Sequence, residues 1–297
     1  PHTFRIQSRH LLSVSNSRRS SGRTIRHPYG RNHNTTMKTN YHTHTTRCMH
    51  AVGSDEEYVL SVIKGGFQIL GFSDHTPWKY RTSYVADMRM LPEELPEYIE
   101  SLQYLREKYR DQIDIKIGLE CEYFPEYIPW LKEQIKKYQL NYILFGNHHF
   151  HTDEKFPYFG HHTNNRDMLD LYEESAIEGM ESGLYNCLAH PDLFMRSYPK
   201  FDHHCATISR HICRTAARLN IPLEYNIGYV AYNEEHGLNT YPCPNFWHIA
   251  ANEGCTAIIG MDAHNNNDLE VPIYYERALQ ELKELKIKTT DTLKMMY

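Results

Sequence analysis

Six short stretches of this chain gather residue types that bind divalent cations: His42-Thr43-His44, Asp74-His75, Glu120-Cys121-Glu122, His148-His149, His190-Pro191-Asp192 and Asp262-Ala263-His264. Neutral imidazole and carboxylate are the ligands expected for Zn, Mn or Fe rather than for Ca. Residues i and i+2 of a strand point the same way, so His42 with His44, and Asp262 with His264, can chelate together. So many ligands exceed what one tetrahedral ion can use, and two or three ions bridged by a carboxylate account for them. Each stretch alone is weak, because a chain with 20 His offers His-x-His pairs by chance. The convergence carries the reading. For His50, Asp192 and Glu122 a packing role and a site role stand level, while His161, His162, His203, His204, His211, His236 and His248 read as solvated or loop-packed.

From Met37 onward the chain alternates short β-rich runs with helical patterns, the signature of a parallel α/β fold. The first strand ends at His42, and later ones are expected at 67–73, 113–119, 142–146, 185–189, 222–225 and 256–260. Ser54 with Glu57 forms a capping box for a helix that ends at Gly65-Gly66. Further helices are expected over about 93–110, 125–138, 167–183, 203–219 and 244–252. Every proposed strand but the sixth delivers a ligand type at its C-terminal end, where ligands collect in such folds. Long connections at about 76–92, 150–166, 191–202 and 227–243 would surround that end.

Composition narrows the function. At 297 residues the chain can build one large barrel, and no run approaches the roughly 20 apolar residues needed to cross a bilayer. Residues 1–36 hold seven Arg and no Asp, Glu or Lys, so the remainder is more acidic than the net charge of −5 suggests. Such a body is a poor general binder of nucleic acid. The seven Cys are scattered without a Cys-x-x-Cys pair and read as reduced thiols of a cytoplasmic protein. Residues 1–36 read as a disordered leader or a non-native extension, and 37–297 as a single barrel domain.

Together these stretches resemble the PHP (polymerase and histidinol phosphatase) superfamily from Met37 to about Leu269. The resemblance is carried by Tyr-His-Thr-His-Thr, His50, Gly-Phe-Ser-Asp-His-Thr-Pro, Gly-Leu-Glu-Cys-Glu-Tyr-Phe, Gly-Asn-His-His-Phe, Leu-Ala-His-Pro-Asp and Gly-Met-Asp-Ala-His. Met88-Arg89-Met90 and the Glu-Tyr-Phe are similar to its monofunctional histidinol-phosphatase branch. The resemblance implies an α/β fold, a distorted seven-stranded (β/α) barrel with the metal site at the C-terminal ends of its strands. It also implies three divalent ions (Zn, Mn or Fe). One would use His42, His44, Glu120 and Asp262. A second would share Glu120 and add His149 and His190, His149 being chosen over His148 because it precedes the Phe. A third would use His50, His75 and His264, with Asp74 orienting a His.

The implied reaction is hydrolysis of L-histidinol phosphate, a step of histidine biosynthesis, by attack of a metal-bridging hydroxide. No Cys-x5-Arg, Asp-x-Asp nucleophile or P-loop supports a competing phosphoryl chemistry. Phosphate oxygens need cationic donors, and Arg196 is the first candidate, with Arg89 and Lys79 second. Asp262 or Asp192 would protonate the leaving group, and Glu120 acts as the bridge. Loop aromatics (Trp78, Tyr80, Tyr84, Phe156, Tyr158, Phe159, Tyr229, Tyr232) could wall a pocket for the imidazole. Competing readings are a nucleotide phosphoesterase, a metal-dependent amidohydrolase, for which no strand-end Lys is found, and a structural metal site. The expected partner is a small phosphate ester, with no nucleic acid and no membrane.

Overall fold

A computed structural model describes residues 37–271 and 273–297; the leader reading for 1–36 lies outside them. Among the described residues the strands are β1 (Thr39–Asn40), β2 (Ile69–Phe72), β3 (Asp114–Cys121), β4 (Tyr142–Gly146), β5 (Cys187–Ala189), β6 (Leu223–Asn226), β7 (Thr256–Gly260) and β8 (Lys288–Thr289). The helices are α1 (Asp55–Lys64), α2 (Leu95–Lys108), α3 (Ile128–Tyr138), α4 (Phe159–His162), α5 (Arg166–Glu181), α6 (His203–Leu219), α7 (Val230–His236), α8 (Pro244–Asn252) and α9 (Ile273–Glu284). Every strand is parallel to its neighbour, in the order β1 to β8.

The sheet closes on itself in a distorted way. Just past β1 and β7 the chain makes a parallel bridge between Thr43 and Ala263, with His44 N–H donating to Ala263 O (3.0 Å) and Ala263 N–H to His42 O (3.1 Å). At the opposite end β8 pairs with the start of β7, Thr256 facing Lys288. The segment after β8 then runs beneath β1, where Thr39 Oγ1 donates to Asp291 O at 2.7 Å. The barrel is thus the expected one with an added eighth strand. That strand is two residues long and exposed, so it carries no hydrophobic run to read.

Strand alternation sorts the core into two layers. Tyr142, Leu144, Cys187, Ala189 and Ile258 point inward with Tyr41, Ile69 and Leu293. Ile143, Phe145, Leu188, Leu223, Tyr225, Ala257 and Ile259 point outward onto the helices. Tyr142 plugs the interior below the site, its hydroxyl donating to Tyr41 O (2.5 Å) and Phe72 O (3.0 Å). On α6 the buried Cys205, Ile208, Ile212 and Ala216 recur at helical spacing, so one stripe faces the sheet. Asp202 caps the start of α6 by accepting from Cys205 N–H (2.9 Å), and Asn220 ends it in the left-handed conformation (φ 55). The capping box foreseen for α1 is present: Ser54 N–H donates to Glu57 Oε2 (2.7 Å) and Glu57 N–H to Ser54 Oγ (3.3 Å).

Candidate metal centre

Residues at or just past the C-terminal ends of β1 to β5 and β7 bring ligand groups to one point at the barrel mouth. His42 and His44 follow β1 and turn both Nε2 atoms to the centre, 3.1 Å apart. Asp262 Oδ1, after β7, lies 3.3 Å from His42 Nε2 and 3.2 Å from His44 Nε2. Glu120 on β3 stands between two groups. Its Oε2 is 3.4 Å from His42 Nε2 and 3.1 Å from His75 Nδ1, while its Oε1 is 2.8 Å from His190 Nε2 and 3.2 Å from His148 Nε2. His44, His75 and His264 form a further triple, and Cys48, His50 and His264 another, with donor atoms within 4.8 Å of one another in each. His264 stacks on His44 (4.1 Å between ring centroids) and on His50 (4.6 Å).

The donor atoms fit cations. Imidazole Nε2 atoms meet at 3.1 Å for His42 and His44 and at 3.3 Å for His148 and His190, a crowding of like atoms that an ion between them would resolve. His264 Nε2 is buried with no hydrogen-bond partner, which is costly unless something takes the lone pair. The outer nitrogens are held by carboxylates: Glu224 Oε1 on His42 Nδ1 (2.7 Å), Asp74 Oδ1 on His44 Nδ1 (3.3 Å) and Glu122 Oε1 on His148 Nδ1 (3.0 Å). Such contacts fix the tautomer and aim the other nitrogen inward. His190 (φ 29) and Asp262 (φ 46) sit in the left-handed region, backbone strain of the kind that persists at functional sites.

Electrostatics sort the charges. Burial works against ionised Glu120, yet the imidazoles of His148 and His42 outweigh it and hold its carboxyl well below the usual carboxylate range. Asp262 is likewise depressed, burial being overcome by His42 and His44. Burial and the neighbouring His44 lower His75 to about 4 and His264 to about 3, so both are neutral at pH 7 with lone pairs free. His148 rises to about 9, since Glu120 and Glu122 outweigh its burial.

Over the cluster lies a cavity of about 560 Å³, lined by His50, His75, Glu120, His148, His190, Asp262 and His264 of the cluster and by Asp87, Met88, Tyr158, His161, Arg196, Gly228, Tyr229 and Tyr241. Arg196 enters it with its guanidinium 4.6 Å from the Tyr229 ring centroid and 5.9 Å from that of Tyr158.

Residues 40–228 match the PHP domain. The chain belongs to the PHP family. Along 84% of its length it is 28% identical to a probable histidinol-phosphatase of Deinococcus radiodurans, covering 94% of that protein. It is 35% identical over 123 residues to a probable histidinol-phosphatase of Schizosaccharomyces pombe, a match spanning 39% of this chain and 40% of that one. In three dimensions it resembles a histidinol phosphate phosphatase of Lactococcus lactis, complexed with zinc, L-histidinol and phosphate. The TM-score is 0.68 at 18% identity, over 89% of this chain and all of that one, a likeness of fold.

The PHP barrel departs from the sequence reading at four positions. His148, not His149, reaches Glu120 and His190; His149 Nδ1 instead bonds Phe156 O at 2.9 Å. Strand alternation decides this, because His148 shares the inward parity of Tyr142, Leu144 and Gly146. Arg89 is 2% exposed and committed to Glu122 (2.9 and 3.1 Å) and Asp153 (3.0 Å), so it does not enter the cavity. Asp192 turns away from the cluster. Its Oδ2 accepts from Cys243 N–H (2.6 Å) and Trp247 Nε1–H (3.2 Å), and burial pushes its pKa up to about 7. Lys79 is exposed and is not among the residues lining the cavity. Of the loop aromatics, Tyr158 and Tyr229 line the cavity, whereas Trp78 and Phe159 are fully buried in the core. Sequence reasoning missed Glu224 and Asn226 on β6, Cys48, and Tyr241 in the wall. Glu224 had a signal, the lone charged residue of a buried strand. Among the described residues no helix is long and apolar enough to cross a membrane.

Proposed function

We propose that this PHP barrel is a metal-dependent phosphomonoesterase that hydrolyses L-histidinol phosphate to L-histidinol and phosphate. The observation that carries the reading is the placement of Arg196 in the wall of a cavity whose floor is the His, Glu and Asp cluster. That cavity opposes a phosphate-binding fork to a multinuclear ligand set. The relatives named as histidinol-phosphatases, one of them matched along nearly its whole length, support the substrate. So does the zinc, L-histidinol and phosphate bound by the Lactococcus lactis protein of like fold.

In this reading three divalent ions, Zn, Mn or Fe, are held by His42, His44, Glu120 and Asp262, by Glu120, His148 and His190, and by His50, His75 and His264. Ions at such sites supply Lewis acidity toward a phosphoryl oxygen and a nucleophilic water at neutral pH. The chain's own groups do the rest. Arg196 presents parallel N–H donors to the remaining phosphate oxygens, its plane held by Tyr158 and Tyr229. Glu120 stays ionised and holds both halves of the cluster at a fixed spacing. Tyr241 and Tyr229, stacked 5.2 Å apart, offer a flat wall for the leaving alcohol's imidazole. A phosphate-release screen of the metal-loaded protein against histidinol phosphate, nucleotides and sugar phosphates, with and without chelator, tests this. A chelator-sensitive preference for histidinol phosphate is expected. Preference for a nucleotide would overturn the substrate and leave a PHP phosphoesterase of another small ester.

A further inference from the structure

Strand β6 is the one from which no ligand type was expected, and its inner face bears Glu224 and Asn226 instead. Glu224 is 2% exposed, and both its oxygens are engaged. Oε1 lies 2.7 Å from His42 Nδ1, and Oε2 accepts from the backbone N–H of His190 (3.0 Å) and from Asn226 Nδ2 (2.9 Å). Asn226 Nδ2 also reaches Asp262 Oδ2 at 3.1 Å. One carboxylate, with its amide neighbour, therefore touches His42, His190 and Asp262, which belong to two different metal positions in the reading above. The space is made by Gly260, which pairs with Asn226 from β7: a Cβ there would lie 1.8 Å from Glu224 Oε1. The carboxylate on His148, Glu122, holds a single ligand ring, whereas Asp74 does for His44 and His75 what Glu224 does for His42 and His190, accepting from the backbone N–H of His75 at 2.8 Å.

We propose that Glu224 is a positioning residue that fixes the proton of His42 on Nδ1 and couples the His42/Asp262 metal position to the His190 position. The inference rests on the proposed metal positions. An ionised carboxylate only accepts, so a neutral His42 must carry its proton on Nδ1 and leave the Nε2 lone pair facing Asp262 and Glu120. An amide of the same shape cannot replace it. With its NH2 toward His42 it drives the imidazole proton to Nε2, where it blocks donation to a cation. With its NH2 toward His190 and Asn226, donors face donors. Glu224 thereby sets the chemistry of one position and the backbone placement of the other.

The test is a zinc titration of metal-free wild type, Glu224→Gln and His50→Ala against a competing chelator, with metal counting and thermal unfolding of the metal-free forms. Glu224→Gln is expected to weaken zinc binding about 10–100-fold, at two positions together, and to lower kcat more than it raises KM. His50→Ala should lose one ion and leave the others at wild-type affinity. Glu224→Gln binding as many ions as wild type with unchanged affinity would overturn the proposal, as would loss confined to one position. Should Glu224→Gln fail to fold, zinc-loaded wild type labelled with ¹⁵N-histidine still decides: a slowly exchanging proton on His42 Nδ1 supports the proposal, and a freely exchanging one refutes it. A wild-type chain that binds one ion or none fails the metal reading itself, a result distinct from any of these.

Discussion

Replacing Arg89 by Met separates two roles that the sequence left open, phosphate anchor and structural cation. The guanidinium is buried beside two carboxylates whose side chains are 1% and 4% exposed, Glu122 and Asp153, and it also donates to Thr76 O at 3.0 Å. Burial opposes the charge of Glu122, but Arg89 first and His148 next hold its carboxyl well below the usual range. Methionine fills much of the same volume and takes the guanidinium from both acids, leaving Glu122 with His148 and Trp78 and Asp153 with the Tyr80 hydroxyl. Breaking a buried ion pair from one side costs about 3–5 kcal/mol. In a domain of this size each kcal/mol shifts Tm by about 2–4 °C, so Arg89→Met should melt roughly 10 °C below wild type. The assay is thermal unfolding of the metal-free proteins, which keeps ion binding out of the comparison. The deficit should narrow as pH falls, because without the guanidinium Glu122 takes up its proton at a higher pH in the folded variant than in folded wild type. Trp78 Nε1–H, which donates to Glu122 Oε2 at 2.7 Å, supplies a fluorescence probe of the same locus. A variant that melts within about 2 °C of wild type but has a greatly raised KM would refute this reasoning and return Arg89 to the substrate.

Arg196→Met should leave metal content and Tm near wild type and lower kcat/KM by about tenfold to a hundredfold, the worth of about 1.5–3 kcal/mol for a charged hydrogen bond; steady-state kinetics with metal counting would check it. His148→Ala should lose about one ion per chain by elemental analysis, as removal of a ligand from a tetrahedral set implies, and His149→Ala should lose none. Gly260→Ala should cost about 1–3 kcal/mol by urea unfolding, since the new methyl meets Glu224, whose carboxylate is pinned by three partners. Chelation should lower Tm, because ions at about 100 times their Kd add about 2.7 kcal/mol to the folded state; calorimetry with and without added zinc reads the difference.

The fold was legible wherever a periodic pattern ended in a chemical signal. Ser54 and Glu57 announced α1 and do cap it, and the apolar spacing along residues 203–219 is the stripe that α6 buries. What escaped notice lacked any such period. Helix α7 has seven residues, mostly polar, inside a stretch read as loop, and β8 has two exposed residues held by pairing alone. In the cluster, residue types were enough to find His42, His44, Glu120, His190 and Asp262, because several strand ends with ligands define a point in space without coordinates. Types were not enough for Arg89 or Asp192. Asp192 ends a ligand motif and Arg89 lies in the loop after another, and their direction is set by partners far away in sequence, Glu122 and Asp153 for Arg89, Cys243 and Trp247 for Asp192.

His148 is the more instructive case, because the information was local and went unused. Counting by twos from Tyr142 through Leu144 and Gly146 lands on His148, and the same count from Gly118 lands on Glu120 and Glu122. Applied to β6, it puts Glu224 and Asn226 inside and Tyr225 outside, as found. In a closed parallel barrel the inward parity is common to all strands, since neighbours in register share a face: Glu120 pairs with Leu144, and Glu224 with Ile258. One inward residue therefore fixes the side of every polar residue on the strands beside it. A buried charged side chain with that parity near the C-terminal end of a strand, as Glu120 and Glu224 are, must find a cation, an imidazole or a donor at the barrel mouth. A strand that bears no metal ligand can thus still be read from sequence as part of the metal centre.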